Sequence, residues 1–194
     1  VITSDFSGWT ATDLSVKNKI IAANGFSAFN NNIINYTDIF NNQKAKSINI
    51  VDIIPENTSL LLSIGFDNSK QLLKQKNKIL QQQNNFWSWD KHRKLIQDSN
   101  NVDFNEFINE LENEAGVFNT SANLSAQHQY SFFKSSNSIT ASSLIQGLIF
   151  DKKTYGQYSI NSIREDNITA QLFGNILNST TNCFITIEDY FIFG

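Results

Sequence analysis

Two hairpin-like blocks, one near each end of the 194-residue chain, constrain its fold more than anything between them. The first runs from Trp9 to Phe26 through Asp13, Leu14, Lys17, Asn18 and Gly25. The second runs from Cys183 to Gly194 through Glu188 and Asp189. Each is an alternating or apolar run, a short polar turn, a second apolar run and then a glycine. Period-two alternation puts successive side chains on opposite faces of a strand, so each block reads as a pair of antiparallel strands. The second block stops at its glycine, where the first is only beginning. That predicts a segment of a longer chain built from related α/β units.

Between the blocks, hydrophobic spacing sets the elements. Residues 9–16 and 19–26 are expected strands with Lys17-Asn18 as the turn. Ile34, Tyr36, Ile39 and Phe40 suggest a helical turn or two. Ile48 to Ile54 is an apolar run ended by Pro55, which biases it to a strand or an extended crossing. Ser59 to Phe66 is continuously apolar, the pattern of a strand buried on both faces. Asn68 offers N-cap chemistry to a helix carrying Leu72, Leu73, Ile79 and Leu80. A second helix follows with Phe86, Trp87, Trp89, Leu95 and Ile96, and a third with Phe104, Phe107, Ile108 and Leu111. For the third, Asp103 and Glu106 read as a capping box.

In the second half, Glu114 to Ser121, Gln129 to Lys134 and Tyr155 to Ile163 read as strands. Ser138 to Ile149 and Ile168 to Leu177 read as helices. The sum is an α+β fold: a mixed, largely antiparallel sheet with helices packed on it, built from recurring hairpin–helix units. Two units are expected, 1–100 (hairpin, strand, helices) and 101–194, with one continuous domain as the alternative. Residues 190–194 would then be an unpaired edge strand.

Composition narrows the function classes. Hydrophobic residues make up 40% and include sixteen Phe, enough for a sizeable core. The net charge of −3 argues against broad attraction to nucleic acid or anionic lipid. Basic residues cluster at Lys70, Lys74, Lys76 and Lys78 and at Lys91, Arg93 and Lys94, and read as solvated helix faces. Cys183 stands alone among Phe184, Ile185 and Ile187 and reads as a small buried hydrophobe. Six Asn-X-Ser/Thr triplets are what chance yields from 27 asparagines, so they say little about glycosylation. No apolar run is long enough to cross a membrane, which leaves any attachment to an anchor outside this segment.

Two clusters invite chemistry. Glu106, Glu110, Glu112 and Glu114 could bind a cation or do acid–base work, but they lack a histidine partner or a loop of fixed ligand spacing. They read as surface carboxylates. Trp87, Trp89 and His92 could line a groove for a glycan or another small ligand. On a helix the two tryptophans diverge by roughly 200°, so one should face in and one out. No glycine loop cradles a phosphate, no serine-hydrolase elbow is present, and neither a cofactor nor a metal is expected.

The ordered motifs Gly8-Trp9, Asn24-Gly25-Phe26, Ile53-Ile54-Pro55-Glu56-Asn57-Thr58, Ser63-Ile64-Gly65-Phe66, Glu112-Asn113-Glu114, Leu172-Phe173-Gly174 and Ile187 to Gly194 span nearly the whole chain. In them the sequence resembles a family of uncharacterised bacterial cell-envelope proteins, a domain of unknown function with recurring α/β units. The resemblance implies an exported, lipoprotein-like chain, anchored near its N-terminus and facing the periplasm or the surface. The family offers no established active site, and Glu112 stands where a glycine commonly precedes Asn-Glu.

The reading that follows is a non-enzymatic cell-envelope module for protein–protein interaction or scaffolding, as a subunit of an envelope assembly with envelope protein partners. Two rivals remain. One is a periplasmic or surface glycan- or small-ligand-binding protein using Trp87, Trp89 and His92. The other is a metal-dependent enzyme using Glu110, Glu112 or Glu114.

Overall fold

Phenylalanine supplies most of the largest fully buried side chains, and strands deliver most of those. The structure is a computed structural model that describes residues 9–17, 20–28, 36–124, 128–165, 168–174, 177, 179 and 182–194. Strands β1 (Trp9–Lys17) and β2 (Ile20–Ala28) form a two-stranded hairpin in which Lys17 pairs with Ile20. The two residues that join them, and the Asn30 to Ile34 stretch, lie outside the described residues. A second sheet holds β3 (Leu60–Phe66), β4 (Leu111–Asn119), β5 (Gln129–Ser135), β6 (Ile149–Tyr155), β7 (Tyr158–Ile163), β8 (Cys183–Ile187) and β9 (Tyr190–Phe193). Its spatial order is β3-β4-β5-β9-β8-β7-β6, and every described pair is antiparallel. The helices are α1 (Ser69–Gln82), α2 (Phe86–Asn100), α3 (Phe104–Asn109), α4 (Ser138–Leu144) and α5 (Ile168–Phe173). The α+β class expected from the sequence, with helices packed on a largely antiparallel sheet, is the class observed.

Period-two alternation divides the sheet into two faces. On the helical face, Ala115, Val117, Phe133, Phe184, Phe191 and Phe193 pack against Leu72, Ile96, Phe104, Phe107, Ala141, Ile168 and Leu172. Phe107 meets Phe191 edge-on at 5.5 Å, and Phe133 meets Phe193 at 5.8 Å, geometries that favour the ring quadrupoles beyond simple burial. On the opposite face, Phe118, Phe132, Tyr190 and Ile192 pack under Ile50, Ile53 and Ile54. A short irregular segment therefore does the covering that helices do on the other side.

That segment is where the extended reading fails. Residues Ile50–Asp52 form a 3-10 turn instead of a strand. The cause is Glu114, whose side chain is 1% exposed. Its Oε2 accepts from the backbone N–H of Asn49 (2.9 Å) and Ile50 (3.3 Å) and from the Tyr190 hydroxyl (2.8 Å), while Oε1 accepts from Ser63 Oγ (2.8 Å). The β4 register breaks between Leu111 and Ala115, and Asn113 there adopts a left-handed φ of 61°. Asparagine tolerates that conformation better than most residues, and such a bulge re-aims the neighbouring side chain.

Three further departures share one origin, that pairing partners are set by tertiary order. β3 is an edge strand, not one buried on both faces. β9 is no unpaired edge: it lies between β5 and β8, and all four of its residues are buried. The expected helix from Ser138 to Ile149 stops at Leu144, and β6 begins at Ile149. At Gly147 a β-carbon would lie 1.7 Å from the carbonyl oxygen of Asn100, so only glycine permits that approach.

Both N-caps form as read, but the capping box does not close, because the Asp103 N–H is taken by Leu144 O and not by Glu106. Asn68 accepts from the Gln71 N–H, and Asp103 accepts from the N–H groups of Asn105 and Glu106. The backbone N–H of Asp103 goes to Leu144 O, so α3 is tied to the end of α4. Replacing Glu114 with alanine would orphan four donors, two of them backbone groups. The expected loss is on the order of 3 kcal/mol or more, against about 1–2 kcal/mol for Tyr190→Phe. Urea unfolding of both variants measures it; a Glu114→Ala chain as stable as the parent would show the contact to be dispensable.

Candidate functional site

Helix α1 buries Ser69, Leu72, Lys76 and Ile79, one continuous face at helical spacing that includes a lysine. Helix α2 buries Arg93, Ile96 and Asn100. The two faces meet around Trp89. Lys76 Nζ stands 4.3 Å from the Trp89 ring centroid, and the Arg93 guanidinium carbon stands 5.2 Å from it and 5.9 Å from that of Phe104. These are cation–π distances, and desolvation strengthens such contacts.

Both cations are deeply buried, Lys76 at 6% exposure and Arg93 at 5%. Lys76 Nζ donates to Leu172 O at 2.9 Å and Gln171 O at 3.3 Å, carbonyls in the last turn of α5. Arg93 Nη2 donates to Asn105 Oδ1 at 2.6 Å. Among the described residues the side-chain ion pair is Lys94–Asp90, so neither buried cation has a carboxylate within salt-bridge reach. Arg93 Nε, Trp89 Nε1 and Gln171 Oε1 are buried there with no hydrogen-bond partner among the described residues.

This environment moves the charges. Burial, aided by repulsion from Arg93, brings Lys76 down from the ordinary 10.5 to about 7. Burial also lowers Arg93, with Asp90 and Asp103 acting in the opposite sense. The sequence reading of both as solvated helix faces is corrected here. The signal was available: Lys76 falls on the Leu72–Ile79 stripe.

The two tryptophans do not face the same way, as their helical spacing predicts. Trp89 is turned in toward Lys76 and Arg93, Trp87 is 78% exposed, and His92 is exposed. Phe86 lies between the tryptophans, with ring centroids 5.6 Å from Trp87 and 6.0 Å from Trp89. The carboxylates do not converge either. Glu106 and Glu112 are exposed, Glu110 accepts from Ser136 Oγ, and the oxygens of Glu114 are engaged by four donors. Among the described residues no three His, Cys, Asp or Glu side chains are grouped to hold a metal ion. The half-buried Cys183 thiol is raised by burial and donates to Gly194 O, which makes it a poor nucleophile.

A second candidate surface is the outer edge of β3. Leu60 is 47% and Leu62 41% exposed, and Ile48 and Val51 are exposed as well. A shallow cleft of about 390 Å³ beside them is lined by Val51, Ile54, Pro55, Thr58, Leu60 and Leu61, among others. β3 contains no charged residue and no proline, whereas β6 at the other edge carries Asp151, Lys152 and Lys153. Charges are the usual guard against edge-to-edge pairing, and only one edge has them.

Comparison with protein-family models, curated proteins and solved structures returned no match to this chain. No helix among the described residues is long and apolar enough to cross a membrane.

The buried lysine yields a pH signature. In the folded chain Lys76 releases its proton near pH 7, and in the unfolded chain near 10.5. Between those values the unfolded state binds more protons, so this group makes stability rise with pH across that window and flatten below it. Urea midpoints of the parent chain should climb from pH 7 toward 10, and Lys76→Met should remove most of that climb. Equal slopes in the two proteins would contradict the burial of a titrating lysine.

Proposed function

We propose that this chain is a non-enzymatic cell-envelope module whose work is protein–protein contact and scaffolding, as a subunit of an envelope assembly. The envelope location rests on the sequence resemblance alone. The contact rests on one observation, the uncharged and apolar outer edge of β3.

The occupant we assign to that edge is a second copy of the chain. Antiparallel pairing centred on Leu62 would bring Leu60 of each copy beside Ile64 of the other and the two Leu62 side chains together. The row is self-complementary, as a two-fold interface requires, and it sets no like charges opposite each other. It would also remove Leu60 and Leu62 from water, at roughly 25 cal/mol per Å² of apolar area. The exposed Val51 lies beside β3 in the cleft and would extend the contact beyond the strand itself.

The glycan-binding reading has less support, because the Trp89 ring is half-buried and occupied by two cations. The metal-enzyme reading has less support, because Glu114 is spent on holding the 3-10 turn.

Sedimentation velocity across a concentration series tests the proposal. The parent chain should pass from monomer to dimer in the micromolar range, and Leu62→Lys, folded by circular dichroism, should remain a monomer. A parent chain that stays monomeric at high micromolar concentration, or a Leu62→Lys chain that dimerises equally well, overturns it.

A further inference from the structure

The same α1 that buries Lys76 turns three other lysines outward on a different face. Lys70, Lys74 and Lys78 are exposed and recur every four residues, about 6 Å apart along the axis. With Asn77 they form one wall of a cleft of about 480 Å³, whose other wall is Asn105 and Asn109 of α3. No carboxylate lines it. In a chain of net charge −3, three cations facing carboxamides across a cleft is a local reversal of sign.

The far wall is oriented from inside the protein. Arg93 is a pure donor, so the Asn105 oxygen that meets its Nη2 at 2.6 Å must face inward. That leaves the Asn105 NH2, two hydrogen-bond donors, as the end available to the cleft. Buried Arg93 thus fixes a donor beside the lysines and adds its own charge behind it. The cleft thus presents cations and an amide donor. Its volume suits a small molecule.

We propose that the cleft between α1 and α3 binds a small anion carrying two or more linked phosphoryl groups. Lys70, Lys74 and Lys78 would together neutralise its charge, and the Asn105 NH2 would donate to one phosphoryl oxygen. Lysine serves as a point charge for phosphate, and a row of them one turn apart selects an extended anion over a single one. This site is independent of the β3 edge.

Calorimetric titration of the full chain at fixed ionic strength tests the assignment, with inorganic tripolyphosphate, pyrophosphate and orthophosphate as probes. Tripolyphosphate should bind at least about tenfold more tightly than orthophosphate. Lys74→Gln and Asn105→Leu should each weaken it by about tenfold, while a Lys152→Gln/Lys153→Gln control on β6 should leave it unchanged. Asn105→Leu separates the oriented donor from bulk charge, since it removes no cation. No binding, equal binding of all three anions, or equal losses in the control and in Lys74→Gln would each overturn the proposal. Amide chemical shifts in each variant check that it remains folded.

Discussion

A single buried carboxylate ties an irregular covering segment to three strands of the sheet. Glu114 sits on β4, yet its acceptor oxygens collect donors from the 3-10 turn at Asn49 and Ile50, from Ser63 on β3 and from Tyr190 on β9. Without that hub, the face of the sheet carrying Phe118, Phe132 and Ile192 would lose the segment that covers it. The backbone donors are the telling part. A turn buried against a sheet must satisfy its N–H groups, and a carboxylate can accept from several at once. The bulge at Asn113 is the local distortion that brings Glu114 to them.

Much of the fold was legible because it rests on local chemistry. Asn68 and Asp103 cap helices for reasons contained within a few residues, and both hairpins are announced by apolar runs flanking short polar turns. What was not legible depends on partners. An apolar run such as Leu60 to Phe66 looks the same whether it lies inside a sheet or at its margin, and only pairing order decides. β6 went unseen because Asp151, Lys152 and Lys153, which suit an exposed edge, erase the alternation that marks a half-buried strand. The helix before it ends early because Gly147 is pressed against Asn100, a contact from another part of the chain.

The site was less legible. The divergence of Trp87 and Trp89 follows from helical geometry, and the structure turns Trp89 in and leaves Trp87 out. That Trp89 would meet two buried cations does not follow from its own neighbourhood, because Lys76 comes from another helix. Lysines counted as one cluster in sequence prove to serve opposite ends: Lys76 faces the core, while Lys70, Lys74 and Lys78 face a cleft. Two residues of register on a helix, about 200°, make that difference.

The position of β9 bears on how the protein is made. It is the last of the seven strands to leave the ribosome, yet it is the one that joins β5 to β8. Until it arrives, β3-β4-β5 and β6-β7-β8 are two half-sheets with open inner margins, and Phe133 and Phe184 lack Phe193. Pairing so distant in sequence is slow, and the waiting margins are apolar. A nascent chain of this architecture therefore spends its synthesis with its stickiest surfaces uncovered.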